Sequence, residues 1–205
     1  NTCCFIHDAK EESVNTILEM AEYKKTGTCK ILIVTGCMAQ RYKEEITEEI
    51  PEVDAVLGTT SYGDIVKALN EAEAGHVFRE FKDINALPED SGRRVITTGG
   101  HFGYLKIAEG CDKHCTYCII PSLRGKFRSV PEERLLKQAE YMASQGVREL
   151  ILVAQETTVY GTDLYGKKTL HILLKKLCQI KGIRWIRVLY CYPEEIYDEL
   201  IQVMK

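Results

Sequence analysis

The chain has 205 residues, of which 45% are hydrophobic, and it carries a formal net charge of −3 at pH 7. That length predicts one or two domains, and the hydrophobic content is sufficient for a buried core, which excludes a disordered chain. Residues 1–100 carry 11 basic and 18 acidic side chains, whereas residues 101–205 carry 16 basic and 12 acidic ones. This change in charge predicts a domain boundary near residue 100.

The first half alternates between helix and strand patterns. A helix is predicted from Asp8, because Glu11 can complete a capping box with it, and Ile17, Leu18 and Ala21 predict the apolar face of that helix. The elements predicted after it are a buried strand at 30–34, a helix from about 40, a strand at 54–57, a helix capped by Ser61 that reaches about 74, and an edge strand at 77–81. Such alternation predicts a parallel sheet covered by helices.

The second half follows a predicted linker at 83–100, which is polar and interrupted by proline and glycines. A strand is predicted at 104–108, and Gly110 ends it. The elements predicted after it are a helix at 131–145, a strand at 149–154, a helix at 170–179, a strand at 185–190 and one more helix. This series is typical of one side of a β/α barrel, where active sites gather at the carboxyl ends of the strands.

Three cysteines lie close together in the run GCDKHCTYCIIP, just after the first predicted strand of the second half. Cys111, Cys115 and Cys118 have the spacing C-x3-C-x2-C. A 4Fe–4S cluster normally takes four cysteines, so three thiolates on one loop would leave one iron open. Catalytic metal sites differ from structural ones in keeping such an open position. The spacing therefore predicts a reactive iron–sulfur site.

A zinc site and a disulfide framework are the competing interpretations of these cysteines. A structural zinc site usually shows two separated Cys/His pairs, and His114 beside Cys115 provides no second pair at that spacing. Nine cysteines in 205 residues are too few for a disulfide framework. Cys29, Cys178 and Cys191 lie in or near apolar stretches, and we expect them to be buried, inert thiols.

Cys3 and Cys37 form a second candidate pair. Cys37 follows a predicted strand, and Cys3 precedes a helix at a point where another strand should have ended. Because the carboxyl ends of parallel strands meet at one edge, both thiols could share a second cluster there. Cys29 begins its strand and belongs to the opposite edge, and Cys4 would need unusual backbone geometry to join Cys3 on one metal. The competing interpretation is that Cys3 and Cys37 are ordinary thiols.

Several motifs together resemble the radical S-adenosylmethionine methylthiotransferase family. The matching segments, in the family's order, are NTC at 1–3, TGCMAQ at 35–40, YLKIAEGC at 104–111, CTYCIIPSLRGKFRS at 115–129 and LVAQETTVYG at 152–161. The resemblance implies an α/β fold, with an N-terminal parallel αβ sheet domain at 1–82 that lacks its first strand, the linker at 83–100, and the first part of a radical-SAM (β/α) barrel at 101–205. It also implies a chain incomplete at both ends, without one further N-terminal cysteine and a C-terminal β-barrel.

The resemblance also implies cofactors and site residues. Cys111, Cys115 and Cys118 would hold one 4Fe–4S cluster whose open iron binds S-adenosylmethionine, and Cys3 and Cys37 would hold a second cluster. The Tyr117 ring would lie near the adenine, and Gln155 and Glu156 would lie near the amino group of S-adenosylmethionine. The first cluster would provide the electron that generates a 5′-deoxyadenosyl radical, and the second would hold the sulfur for transfer. Arg124, Lys126 and Arg128 are weaker candidates for ligand contact, and plain surface charge is the preferred interpretation for them.

Within the family, the residues after Cys118 and Gln155 resemble the branch that modifies the β-carbon of an aspartate in a small-subunit ribosomal protein. The implied partners are that ribosomal protein and an electron donor such as flavodoxin or ferredoxin, in the cytoplasm and without a membrane. The acidic first half argues against nucleic-acid binding by that portion. The alternatives are a transfer-RNA methylthiotransferase acting on isopentenyl-adenosine, a non-catalytic iron–sulfur or metal-binding fragment, and a fragment that is inactive alone.

Overall fold

Two three-stranded parallel sheets organise the computed structural model, which describes residues 1–87 and 94–205. The described residues fall into two units. The first unit comprises the described part of Asn1–Ser91 together with Lys113–Gly125, and the second comprises that of Gly92–Asp112 together with Lys126–Lys205. The three-cysteine segment is thus divided by contacts, with Cys111 in the second unit and both later cysteines in the first.

The first unit is a parallel sheet flanked by helices. Its strands, in the order β1-β2-β3, are β1 (Ile33–Thr35), β2 (Ala55–Leu57) and β3 (Phe78–Glu80). Its helices are α1 (His7–Thr26), α2 (Cys37–Arg41), α3 (Glu45–Glu49), α4 (Ile65–Glu73) and, from the later segment, α5 (Ile120–Arg124). All three residues of β2 are buried, whereas β3 stands at the end of the strand order and pairs with β2, as a predicted edge strand should.

Asp8, Leu18 and Ser61 do not take the roles that the sequence predicted for them. Helix α1 begins at His7, one residue before the expected cap, so Asp8 lies in its first turn, and the N-cap residue Ile6 makes no side-chain cap. Ile17 and Ala21 are buried, but Leu18 is 47% exposed because it lies beside the face that these two residues share. Ser61 does not cap a helix by its side chain; its hydroxyl oxygen accepts the backbone N–H of Lys82 at 2.9 Å.

The second unit combines a parallel sheet with a short antiparallel ribbon. The sheet has the order β4-β7-β8, formed by β4 (Phe102–Lys106), β7 (Glu149–Val153) and β8 (Trp185–Val188). The ribbon pairs β5 (Ala108–Glu109) with β6 (Arg128–Ser129). The helices of this unit are α6 (Glu132–Ser144), α7 (Thr162–Tyr165), α8 (Leu170–Leu177) and α9 (Asp198–Met204).

The core of the second unit lies between its sheet and the helices that follow the strands. Leu105 and Leu150 from adjacent strands pack with Leu135 and Leu173 from two of the helices, and all four are fully buried. Burying side chains of this kind is the main stabilising contribution in such a fold. Strand–helix alternation with parallel pairing throughout the β4-β7-β8 sheet agrees with the predicted α/β class.

The predicted linker and domain limits stay predictions. Residues 83–87 and 94–100 contain no helix or strand, and the part of the linker at 88–93 lies outside the described residues.

No helix in the described ranges has the length and apolar character needed to cross a lipid bilayer.

Candidate metal centres

Cys3 lies beside Cys37 because the residues that precede them pair with each other. Thr2 and Gly36 form an isolated parallel bridge, in which Thr2 donates its backbone N–H to the Thr35 carbonyl at 2.7 Å. The Cys37 N–H in turn donates to the Thr2 carbonyl at 3.0 Å. The segment before α1 therefore continues the parallel pairing of the sheet, and both cysteines follow at the same edge.

Both thiols line one cavity of about 410 Å³ within the first unit. Cys3 is exposed and Cys37 is partly exposed. The backbone of Cys3 is held from both sides by Ser13, whose hydroxyl accepts the Cys3 N–H at 3.0 Å and donates to the Cys3 carbonyl at 2.9 Å. Arg124 also lines this cavity, and its Nε donates to Cys37 Sγ at 3.2 Å. The arrangement presents two neighbouring thiols to solvent on a fixed backbone.

Cys4 is set apart from this pair by burial. Its side chain is 2% exposed and packs in the core with Val34 and Met38. Burial raises the pKa of the Cys4 thiol, nearby Cys37 adds to that rise, and Arg41 opposes it. A protonated core thiol is a poor metal ligand, so burial adds to the unusual backbone geometry that Cys4 would need to join Cys3 on one metal.

The three-cysteine segment forms a loop between β5 and α5. Gly110, with φ of 78°, turns the chain immediately before Cys111. The Cys118 N–H donates to the Cys115 carbonyl at 3.0 Å, which forms a tight turn between these two ligand candidates. All three cysteines are partly exposed, and none of the nine cysteines, which all lie in described residues, forms a disulfide.

The base of the loop is closed within the second unit. The Asp112 carboxylate accepts the backbone N–H of Phe127 at 3.0 Å, next to the ladder between β5 and β6. Phe127 is itself 7% exposed and belongs to the core of that unit. The residue after Cys111 is therefore anchored, while the cysteines stay accessible.

The chemistry of the donors fits iron–sulfur clusters. Thiolates are the soft ligands that such clusters use. Within residues 1–87 and 94–205, no three His, Cys, Asp or Glu side chains are assembled as a metal-binding group. The fit therefore depends on the identity, spacing and accessibility of the thiols.

The other predicted site residues are one exposed tyrosine and two residues that follow strand β7. The Tyr117 ring is 83% exposed and can accept a stacking partner. Gln155 and Glu156 follow β7, whose end lies beside the end of β4 in register, Lys106 with Val153. Gln155 Oε1 is buried and has no hydrogen-bond partner among the described residues. Glu156 is 3% exposed, and its Oε1 accepts both the N–H and the hydroxyl of Thr158.

Two features of this edge were missed from the sequence. Thr157 donates its hydroxyl to the Leu189 carbonyl at 2.7 Å and its N–H to the Tyr190 carbonyl at 3.2 Å. Tyr190 has φ of 59°, the left-handed region that non-glycine residues rarely adopt. The loops after β7 and β8 are thereby joined, and no sequence signal marks a tyrosine for this conformation.

The prediction of buried thiols is wrong for Cys178. It is exposed, because it directly follows α8, where the helix ends at the surface. The same prediction is wrong for Cys29 and Cys191, which are partly exposed.

Two protein-family models match separate parts of the chain. Residues 1–58 match the model of Uncharacterized protein family UPF0004, and residues 105–205 match that of the Radical SAM superfamily. One solved structure with a similar fold is the radical S-adenosylmethionine methyltransferase TsrM from Kitasatospora setae, determined with cobalamin and a 4Fe–4S cluster bound. The TM-score is 0.58 at 12% identity, over 91% of this chain and 41% of that one.

Curated relatives match along nearly the whole chain. The ribosomal protein uS12 methylthiotransferase RimO of Lachnoclostridium phytofermentans is 67% identical over 100% of this chain and 47% of its own length. The corresponding RimO proteins of Clostridium botulinum (strain Eklund 17B / Type B) and Clostridioides difficile (strain 630) are 55% and 54% identical, over 98% and 100% of this chain and 46% of their own length. The chain thus spans about half the length of the curated relatives it matches.

These matches confirm the predicted fold class, an N-terminal parallel αβ domain followed by a radical-SAM barrel region. The two family models occur in the order that the motifs predicted, and the RimO relatives cover both. The chain belongs to the radical S-adenosylmethionine methylthiotransferase family.

Proposed function

We propose that the protein is a radical S-adenosylmethionine methylthiotransferase that inserts a methylthio group at the β-carbon of an aspartate in ribosomal protein uS12. The observation that carries this proposal is the Thr2–Gly36 bridge, which sets Cys3 beside Cys37 in a chain that also contains the C-x3-C-x2-C loop. Two separate sets of thiols are what a reaction needing both a radical and a sulfur donor requires. The RimO relatives, 50–67% identical over this chain, support the choice of uS12.

Each set of thiols has a proposed ligand role. Cys111, Cys115 and Cys118 would hold one 4Fe–4S cluster and, being only three ligands, would leave a position on it for S-adenosylmethionine. Cys3 and Cys37 would hold a second cluster. When bound, the two clusters supply the electron that cleaves S-adenosylmethionine and the sulfur that is methylated and transferred, which is chemistry that protein side chains cannot provide.

The remaining site residues bind and orient S-adenosylmethionine. Gln155 Oε1, a buried acceptor without a partner among the described residues, accepts a hydrogen bond from the amino group of the ligand. A ligand N–H at this position removes the cost of an unsatisfied buried oxygen. Glu156 shapes the loop through its bonds to Thr158 and adds negative charge near that amino group. The exposed Tyr117 ring stacks against the adenine.

The proposal extends to partners and location. A flavodoxin or ferredoxin supplies the electron, because the mechanism needs a low-potential one-electron donor that these residues do not provide. The proposed location is the cytoplasm, because the proposed substrate is a ribosomal protein.

The test is a direct comparison of substrates. A full-length version, reconstituted anaerobically with iron and sulfide, is supplied in parallel with uS12 and with isopentenyl-adenosine transfer RNA, and products are identified by mass spectrometry. We expect a methylthio group on one aspartate of uS12 and none on the RNA. Modification of the RNA alone would replace this proposal with the transfer-RNA enzyme, and absence of S-adenosylmethionine cleavage would indicate a non-catalytic metal protein.

A further inference from the structure

Arg124 makes a specific contact with one of the two proposed ligands of the second cluster. Its Nε lies 3.2 Å from Cys37 Sγ, although the two residues are separated by 87 positions in the sequence. Arg124 is the last residue of α5, the short helix that follows Cys118. The segment that carries the first set of thiols therefore also contains the residue that donates a hydrogen bond to the second set.

Two buried contacts hold helix α5, from which the Arg124 side chain extends, in place. Leu123, the residue before Arg124, is 5% exposed and packs in the same core as Cys4 and Met38. The Leu123 carbonyl accepts the hydroxyl of Thr59 at 3.0 Å, and that threonine is itself 3% exposed. A buried hydrogen bond and a buried side chain thus fix the turn from which Arg124 extends.

The same contacts lead back to the helix that carries Cys37. Gln40, which lies in α2 three residues after Cys37, accepts the Thr59 N–H at 3.1 Å through its side-chain oxygen. The path from Cys37 through Gln40, Thr59 and Leu123 to Arg124 is therefore closed by the Arg124–Cys37 hydrogen bond. Because these contacts form a closed ring, they fix the position of the Arg124 donor relative to the Cys37 sulfur. An arginine that serves only as surface charge does not need to be fixed in this way.

The chemistry of the contact is defined by the donor. A guanidinium keeps its charge and all its N–H groups at any physiological pH. A hydrogen bond to a ligand sulfur stabilises the extra negative charge of a reduced cluster, and such bonds are among the factors that set cluster potentials. The Arg124 Nε–H therefore favours the reduced form of a cluster bound through Cys37.

We infer that Arg124 is a positioning residue of the second cluster, whose Nε–H hydrogen bond to Cys37 orients that ligand and raises the reduction potential of the cluster. This inference depends on the proposed function, since it assigns Cys37 to a cluster. It adds a residue outside the cysteine sets and makes α5 a physical connection between Cys37 and the segment after Cys118.

Arg124→Lys is the sharpest variant for the test. Lysine keeps the positive charge but places a methylene where Nε–H stands, so the hydrogen bond to Cys37 Sγ is lost. The measurement is a redox titration of the reconstituted full-length enzyme, followed by electron paramagnetic resonance of each cluster. We expect the midpoint potential of the second cluster to become more negative in Arg124→Lys and in Arg124→Gln, with the first cluster unchanged. Arg79→Lys, at an exposed position of β3 in the same unit, is the matched control and should leave both potentials unchanged.

The outcomes separate this inference from the proposed function. If the wild-type enzyme binds both clusters but Arg124→Lys leaves the second potential unchanged, the inference is wrong and the proposed function stands. If the Cys37→Ala variant binds as much iron as the wild-type enzyme, Cys37 is not a ligand. Both the second-cluster assignment and the inference are then overturned. Thr59→Val, which releases α5 without touching Arg124, should shift the same potential in the same direction by a smaller amount.

Discussion

Thr2 packs so closely on Gly36 that residue 36 has no space for a side chain. A Cβ at Gly36 would overlap the Thr2 carbonyl oxygen and come within 2.9 Å of the Thr2 nitrogen. Gly36 also has φ of 104°, which L-residues rarely adopt. Glycine at this position therefore permits the bridge that sets Cys3 beside Cys37.

Gly36→Ala should disrupt the first unit. Backbone strain and overlap together predict a loss of about 3 kcal/mol in the free energy of unfolding, measured in urea, with lower iron binding by Cys3 and Cys37. Gly75→Ala is the matched control, because Gly75 also has positive φ, 82°, but open space around it. It should lose only about 1 kcal/mol. Equal losses in the two variants would show that the contact with Thr2 is unimportant.

Thr59→Val should destabilise the first unit through α5. The change keeps the shape of the side chain but leaves the buried Leu123 carbonyl without its donor. The expected cost is about 1–3 kcal/mol in urea unfolding. Thr26→Val, which removes an exposed hydroxyl that donates to the Glu22 carbonyl, should change stability by less than about 0.5 kcal/mol. A Thr59→Val variant as stable as wild type would mean that this hydrogen bond does not anchor the helix.

Tyr160 predicts a pH-dependent contribution to stability in the second unit. Its phenol is 1% exposed and donates to the Val130 carbonyl at 2.8 Å, and burial raises its pKa well above the ordinary value of 10.0. Because the pKa is higher in the folded state, this contribution is complete below about pH 10 and declines above it, where only the unfolded state ionises.

Tyr160→Phe should therefore cost about 1 kcal/mol at neutral pH, and its difference from wild type should shrink above about pH 10. Urea unfolding at several pH values measures this. Tyr23→Phe, at a half-exposed position, should show no such trend. A constant difference between Tyr160→Phe and wild type from pH 7 to pH 11 would contradict the assignment.

Gln155→Leu should separate stability from ligand binding. The buried Oε1 has no partner within the described residues, so its removal should leave unfolding stability unchanged or slightly higher. Loss of the acceptor should weaken S-adenosylmethionine binding by about 10-fold, measured by calorimetry on the reconstituted enzyme. The exposed Gln202→Leu serves as control. Unchanged affinity in Gln155→Leu would remove Gln155 from the binding site.

Local pattern accounts for the parts of the fold that could be predicted. Strands β2 and β7 could be predicted because each lies in a short apolar run, as buried strands do. The spacing of Cys111, Cys115 and Cys118 is visible within eight residues of the sequence. The Arg124–Cys37 contact could not be predicted, because it joins residues 87 positions apart and a basic run looks like surface charge. The left-handed Tyr190 was equally hidden, since tertiary hydrogen bonds from Thr157 impose it against the preference of the residue.

The most direct test of the account measures two reactions in two sets of cysteine variants of the full-length enzyme. S-adenosylmethionine cleavage is followed by 5′-deoxyadenosine release, and methylthio transfer to uS12 is followed by mass spectrometry. Alanine at Cys111, Cys115 or Cys118 should abolish both reactions, whereas alanine at Cys3 or Cys37 should abolish transfer and leave cleavage measurable. Equal loss of cleavage in both sets would contradict the division of labour between the two groups of thiols.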